Sequence, residues 1–113
     1  MRNYQRKKNN PYELPQNVYM QMIYLVKDYE RLIELEAELS SLASAPTDKK
    51  LSRTRAEIQA VDNAFSTVPE LYRKAIADNI VKDIKFPSGS DVSALRMYKQ
   101  KFVYEIAKQL SVW

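Results

Sequence analysis

The chain has 113 residues and contains no cysteine and no histidine, which excludes disulfides, thiol nucleophiles, imidazole bases and zinc sites of the Cys/His type. Its single glycine, Gly89, excludes a glycine-rich phosphate loop, so we expect neither an enzyme nor a bound cofactor or metal. The formal net charge is +4, and no apolar run approaches the roughly 20 residues that a membrane span needs.

The charges are distributed unevenly along the chain. Residues 1–15 and residues 68–113 each carry a net charge of +3, whereas residues 16–45 carry −3. Two basic ends suit a polyanionic partner such as DNA, although a solvated surface with a flexible tail has the same pattern. Residues 1–13 are polar and rich in asparagine, and we expect them to form a disordered tail. The basic residues of this tail are Arg2, Arg6, Lys7 and Lys8.

Helix-forming residues dominate the chain, which predicts an all-α fold with one helical domain over residues 14–113. Apolar residues recur at steps of three and four over residues 15–44, which predicts one long first helix. Pro46 interrupts this pattern, and a second helix is predicted over residues 48–66. The short link between them favours a long antiparallel hairpin over residues 14–66. The long apolar seam of this hairpin predicts a homodimer.

Two further helices follow the hairpin. Pro69 opens a third helix that is predicted to run to about Ile84. The run KFPSGSD, residues 85–91, has the proline and glycine of a turn, and a last helix is predicted from there to about Ser111. The sequence therefore predicts that the last two helices form a helix-turn-helix-like pair over residues 68–113.

The last helix has an apolar face and a polar, basic face. The apolar residues are predicted to lie in the core: Val92, Leu95, Phe102, Val103, Ile106 and Leu110. The opposite face contains no acidic residue. A major groove accepts one α-helix and needs Arg, Lys or Gln at base edges, with hydroxyl groups or aromatic rings at phosphates and sugars. The basic face supplies both, although the solvent-exposed face of any basic protein has a similar character.

We therefore predict that the last helix reads double-stranded DNA. The predicted base contacts are Ser93, Arg96, Met97, Gln100 and Lys101. Tyr104 and Lys108 are predicted to contact the DNA backbone. Arg73 and Lys74, near the start of the third helix, are predicted to contact phosphates, and the basic tail is predicted to add non-specific attraction or a minor-groove arm.

The C-terminal half of the chain also resembles a known group of phage proteins. The resemblance covers roughly residues 58–111 and is carried by these residues: Val68-Pro69, Tyr72-Arg73, Asn79-Ile80, Phe86-Pro87 and the run from Tyr98 to Tyr104. This segment is similar to the RinA/ArpU-type late-gene transcriptional regulators of Gram-positive phages and prophages, and its start resembles region four of bacterial sigma factors. A full sigma-like unit has a short middle helix, whereas only about KFPSGSD separates the two helices here.

The resemblance implies a helix-turn-helix protein that binds specific phage DNA and controls late genes in the cytoplasm of the bacterial host. Two other functions remain open. The acidic helix over residues 28–38 could bind and inhibit a host protein, such as RNA polymerase or a nucleic-acid-guided defence enzyme, in which case charge reversal at Glu34, Glu36 and Glu38 should abolish the activity. The chain could also be the DNA-recognition subunit of a phage packaging machine, which would form a ring rather than a dimer.

Overall fold

A computed structural model describes residues 11–42, 45–89 and 91–113, and every regular element within these ranges is helical. The prediction of an all-α fold is therefore confirmed. The five helices are α1 (Gln16–Lys27), α2 (Tyr29–Ser40), α3 (Ala45–Ser66), α4 (Glu70–Val81) and α5 (Val92–Gln109). None of the helices in these ranges is long and apolar enough to cross a membrane. The predicted disorder of residues 1–10 lies outside the described residues.

Helix α5 is the central element of the fold, because α1, α3 and α4 all pack against it. Four of the six residues predicted on its apolar face are no more than 3% exposed: Leu95, Phe102, Val103 and Ile106. The other two, Val92 and Leu110, are half-buried. Ala107 is also fully buried, although the wheel places it among the polar residues, since neighbouring helices cover more of the C-terminal half of α5 than its apolar stripe indicates.

Aromatic pairs join α5 to its neighbours. Phe102 meets Phe65 of α3 edge-to-face, with ring centroids 5.5 Å apart. Tyr98 stacks on Tyr72 of α4 at 5.6 Å. Such pairs stabilise a core by about 0.5–1.5 kcal/mol beyond the area they bury, so they help to fix how α3 and α4 are placed against α5.

The predicted long first helix is wrong in one respect, because it is divided at Asp28 into α1 and α2. Asp28 has φ −91° and ψ 2°, outside the helical region, yet its N–H still donates to the Tyr24 carbonyl at 3.0 Å. The two halves have different partners, since α1 packs on α4 and α5 whereas α2 packs mainly on α3. The Asp28 carboxylate accepts hydrogen bonds from the Arg31 guanidinium at 2.8 and 2.5 Å, which lowers the pKa of Asp28.

The hairpin therefore consists of α2 and α3. Near its base, the Tyr29 hydroxyl donates a hydrogen bond of 2.6 Å to Asp62. Further along, Arg55 pairs with Glu36 at 3.4 Å. The pairs occur progressively later in α2 and progressively earlier in α3, as two antiparallel helices require. The predicted antiparallel hairpin is thus present, but it is shorter than the predicted range because α1 belongs to the body around α5.

The connection between α4 and α5, residues 82–91, contains no helix in its described part. The described part of this connection is thus irregular and holds no counterpart of the short middle helix that a full sigma-like unit has. Asp83 has φ 56°, in the left-handed region that non-glycine residues seldom adopt. Its carboxylate pairs with Lys27 of α1 at 3.1 Å, and the Asn79 amide donates to the Ile84 carbonyl at 2.9 Å. These contacts hold the connection against the body of the protein.

The Tyr29–Asp62 hydrogen bond makes the stability of the hairpin dependent on pH. The bond to the carboxylate, helped by burial and by the nearby negative charge, raises the pKa of Tyr29 from 10.0 to about 12. Protonated Tyr29 therefore stabilises the fold below about pH 10, and this contribution is lost as the pH rises through the interval from about 10 to 12. We expect the difference in free energy of unfolding between wild type and Tyr29→Phe to narrow across that interval, as measured by urea unfolding.

The matched control is Tyr24→Phe, which removes the exposed hydroxyl of a residue in α1. The difference in free energy of unfolding between wild type and Tyr24→Phe should not narrow between about pH 10 and 12. A wild-type advantage over Tyr29→Phe that stays constant between pH 9 and 12 would contradict a structural role for this hydrogen bond.

Candidate nucleic-acid interface

The predicted DNA-contacting residues of α5 do not form one uniform exposed strip. Ser93, Arg96 and Met97, in the first two turns, are exposed, and Lys108 is exposed near the other end. The three predicted residues between them are only partly accessible: Gln100, Lys101 and Tyr104. The exposed part of the predicted face is thus concentrated at the N-terminal end of α5.

The segment that precedes α1 accounts for this partial cover. Tyr12 meets Tyr104 edge-to-face at 5.5 Å, and the Lys101 ammonium lies 5.9 Å from the centre of the Tyr12 ring. Leu14, two residues later, is buried in the core. Tyr12, which falls in the predicted disordered tail, therefore lies against α5. The contact was not predicted because one tyrosine in a polar segment carries no periodic signal.

Arg73 has a different environment from the one predicted for a phosphate contact. Its guanidinium donates hydrogen bonds to the carbonyl oxygens of Val68 at 2.8 Å and Ser66 at 3.2 Å. Ser66 is the last residue of α3, where a helix leaves its last carbonyl groups without intrahelical partners, and Val68 lies in the link that follows. A cation at that end is also favoured by the helix dipole. Arg73 thus joins the end of α3 to the start of α4.

Lys74 is exposed, as a phosphate contact requires, but it already has a partner. Its ammonium lies 2.8 Å from Asp78, one turn further along α4, and its side chain is 87% exposed. The hydrogen bond from Lys74 lowers the pKa of Asp78. A surface pair of this kind contributes about 0–1 kcal/mol, so a phosphate could replace the carboxylate at little cost.

The different roles of these neighbouring residues give a test of stability. We expect Arg73→Ala to lower the free energy of unfolding by about 1–3 kcal/mol, because two charge-assisted hydrogen bonds at the α3–α4 junction are lost. The matched control, Lys74→Ala, should change it by no more than about 0.5 kcal/mol. Urea unfolding followed by circular dichroism measures both. Equal stability of the two variants would contradict the junction role of Arg73.

A cleft of about 560 Å³ lies beside the exposed first turns of α5, between this helix, α1, the end of α4 and the connection. Its lining is basic and includes no carboxylate: Tyr19, Asn79, Lys85, Phe86, Ser88, Val92, Arg96, Lys99 and Gln100. Lys99 lies with its ammonium 6.0 Å from the centre of the Phe86 ring. Burial, with a smaller effect of the nearby Lys27, lowers the pKa of Lys99, and Asp83 opposes this change.

Two basic residues of this cleft were not among the predicted contacts. Lys99 falls within the apolar half of the helical wheel, and Lys85 belongs to a segment that was interpreted only as a turn. The available signal was a lysine within the apolar half of α5, together with a second lysine in the turn that precedes this helix. The structure brings both into the same cleft as Arg96 and Gln100.

Seven of the 14 acidic residues of the protein lie on the hairpin. Glu30, Glu34 and Glu38 recur at every fourth residue along α2, and all three are exposed. The basic cleft and this acidic row therefore belong to different parts of the molecule, one to the α4–α5 unit and the other to α2. Within the described ranges, no group of three or more acidic side chains is arranged to hold a metal ion.

Comparison with known proteins adds no relative to this description. The chain matches no protein-family model, no curated protein and no solved structure.

Proposed function

We propose that the chain is a DNA-binding transcriptional regulator of a phage or prophage, and that the first turns of α5 enter the major groove. The observation that carries this proposal is the exposure of Ser93, Arg96 and Met97 beside a cleft whose charged residues are all basic. Recognition helices usually read bases through their N-terminal residues. Arginine can bind guanine through two hydrogen bonds, and serine can bond to either a base or a phosphate.

The side chains around α5 favour contacts with the DNA backbone on one side of the proposed base contacts. Lys85 and Lys99 lie on the cleft side of Arg96. Cations next to a reading residue neutralise phosphates and fix the register of a protein on the duplex. This arrangement favours DNA over a protein as the partner of the α5 face, because the described lining of the cleft contains no carboxylate that would repel the phosphates of the DNA backbone.

The N-terminal segment is placed where a basic arm would be useful. The described chain begins at Pro11, and Tyr12 contacts Tyr104 and Lys101 of α5. The basic residues Arg2, Arg6, Lys7 and Lys8 precede this contact by four to ten positions in the sequence. In this proposal they act as an arm that adds phosphate contacts or enters the adjacent minor groove.

The proposed regulator would act as a homodimer through its hairpin. Ile33 of α2 is 43% exposed and Leu42, just beyond the end of α2, is 49% exposed, so apolar surface remains uncovered on this two-helix element. A dimer would present two copies of α5 to two half-sites, and their spacing along the DNA would follow from the length of the dimer. The resemblance to late-gene regulators implies that these sites lie in phage DNA.

The experiment that tests DNA binding is a fluorescence-anisotropy titration on random-sequence duplex DNA at about 50 and 200 mM salt. If several lysine and arginine side chains contact phosphates, affinity should fall steeply with salt, with a slope of about −0.9 for each phosphate neutralised. Failure to bind even at the lower salt would sink the proposed function, and the exposed acidic row of α2 would become the surface to test against host proteins.

Arg96 gives a sharper test once a preferred sequence has been selected. We expect Arg96→Ala to weaken binding to that sequence by about 1–3 kcal/mol and to relax the preference at one guanine position. Lys108→Ala, also exposed on α5 but near its C-terminal end, is the matched control and should weaken all sequences about equally. Unchanged affinity and unchanged preference in Arg96→Ala would remove α5 as the reading element.

A further inference from the structure

The cleft beside α5 has the size and composition of a ligand site. Its volume of about 560 Å³ lies within the range of roughly 300–1,000 Å³ that is typical of pockets for small molecules and cofactors. A single phosphate group would occupy only part of it. The lining also contains two aromatic rings, Tyr19 and Phe86, and both are half-buried.

The three cations of the cleft lack the ion pair that five of the eleven other described lysines and arginines form. Five other lysines and arginines form ion pairs with carboxylates: Lys27, Arg31, Arg55, Lys74 and Lys82. Among the described residues, no carboxylate lies within ion-pair distance of Lys85, Arg96 or Lys99. Three cations without an ion-paired carboxylate in the described ranges surround one concave surface and attract an anion, and the partial burial of Lys99 strengthens the attraction because it lowers the local screening.

Asn79 adds to the cleft a buried oxygen atom that lacks a hydrogen-bond donor among the described residues. Its amide nitrogen donates to the Ile84 carbonyl, which fixes the orientation of the side chain. Its Oδ1 atom is buried and accepts no hydrogen bond from any described residue. A buried acceptor without a donor destabilises the folded protein, and an unprotonated phosphate oxygen cannot relieve that cost because it donates no hydrogen. A ligand with an N–H or O–H group could do so after a small movement of the residues that enclose this oxygen.

We infer that this cleft binds a nucleoside phosphate, with the phosphate held by Lys85, Arg96 and Lys99. The base or sugar lies against Tyr19 and Phe86, since bases stack on aromatic side chains largely independently of sequence. An N–H or O–H group of the ligand meets the Asn79 oxygen. The same chemistry is offered by a free nucleotide and by a nucleotide unstacked from a DNA strand, and only the second source rests on the proposed function.

The test is a titration of the full ¹⁵N-labelled chain, followed by NMR, with three probes: deoxyadenosine 5′-monophosphate, inorganic phosphate and deoxyadenosine. We expect the nucleotide to bind at least about tenfold more tightly than either fragment, because only the nucleotide fills both parts of the cleft. Its saturation should shift the side-chain amide of Asn79 and the backbone amides of Phe86 and Lys99. Lys85→Gln should weaken nucleotide binding by about fivefold or more.

The matched control is Lys82→Gln, in the same connection. The Lys82 ammonium lies 3.9 Å from Asp78, and the residue does not line the cleft, so nucleotide binding should change less than about twofold. Because Lys85 is exposed, its variant tests the cleft without disturbing the core. Inorganic phosphate that binds as tightly as the nucleotide would leave only a simple anion site and overturn the inference, as would the lack of saturable shifts with all three probes.

DNA titrations with the same variants distinguish the two sources. If Lys85→Gln weakens duplex binding and the nucleotide competes with DNA, the bound group belongs to the DNA strand. If the nucleotide binds but wild-type protein does not bind DNA, the cleft is a free-nucleotide site and the proposed function is wrong. If wild-type protein binds DNA, Lys85→Gln binds it equally well and no probe saturates, the cleft inference fails while the proposed function stands.

Discussion

The burial of α5 is the constraint on which the rest of this structure depends. Three helices pack against α5, and its buried residues come from its whole length. The same helix is therefore both the core of the protein and the proposed recognition element. A helix used in this way can expose only part of its circumference, and the Tyr12 contact narrows that part further. Apart from Lys108 near the other end, the predicted face remains exposed at the N-terminal end of α5, where a recognition helix is most useful.

Periodicity and proline positions predicted the elements well, because these signals are local. The apolar stripe of α5 indicated four of its core residues, and the prolines before α1 and α4 marked where those helices begin, since a proline at a first turn loses no hydrogen bond. The division at Asp28 could not be predicted in the same way. The stripe continues through this residue, and the break arises because α1 and α2 have different packing partners.

The candidate site was predicted less completely, because several of its features depend on contacts between distant parts of the chain. Arg73 was chosen for its charge, but the carbonyl oxygens that it binds belong to the α3–α4 junction, whose geometry only the folded chain defines. Lys85 and Lys99 are 14 positions apart in the sequence and meet at the cleft because the connection folds back over α5. Composition indicated a basic C-terminal region, whereas tertiary packing determined which cations share one surface.

The packing of α2 has a consequence for how the molecule could vary in length. Beyond the Tyr29–Asp62 contact, α2 packs mainly on the facing part of α3, and neither the cleft nor the Tyr12 contact includes a residue of this outer part. Insertion or deletion of matched turns in the two helices near residues 41–44 would leave the inter-helix register at the base intact. The outer hairpin could therefore change its reach between related proteins while the α5 unit stayed the same.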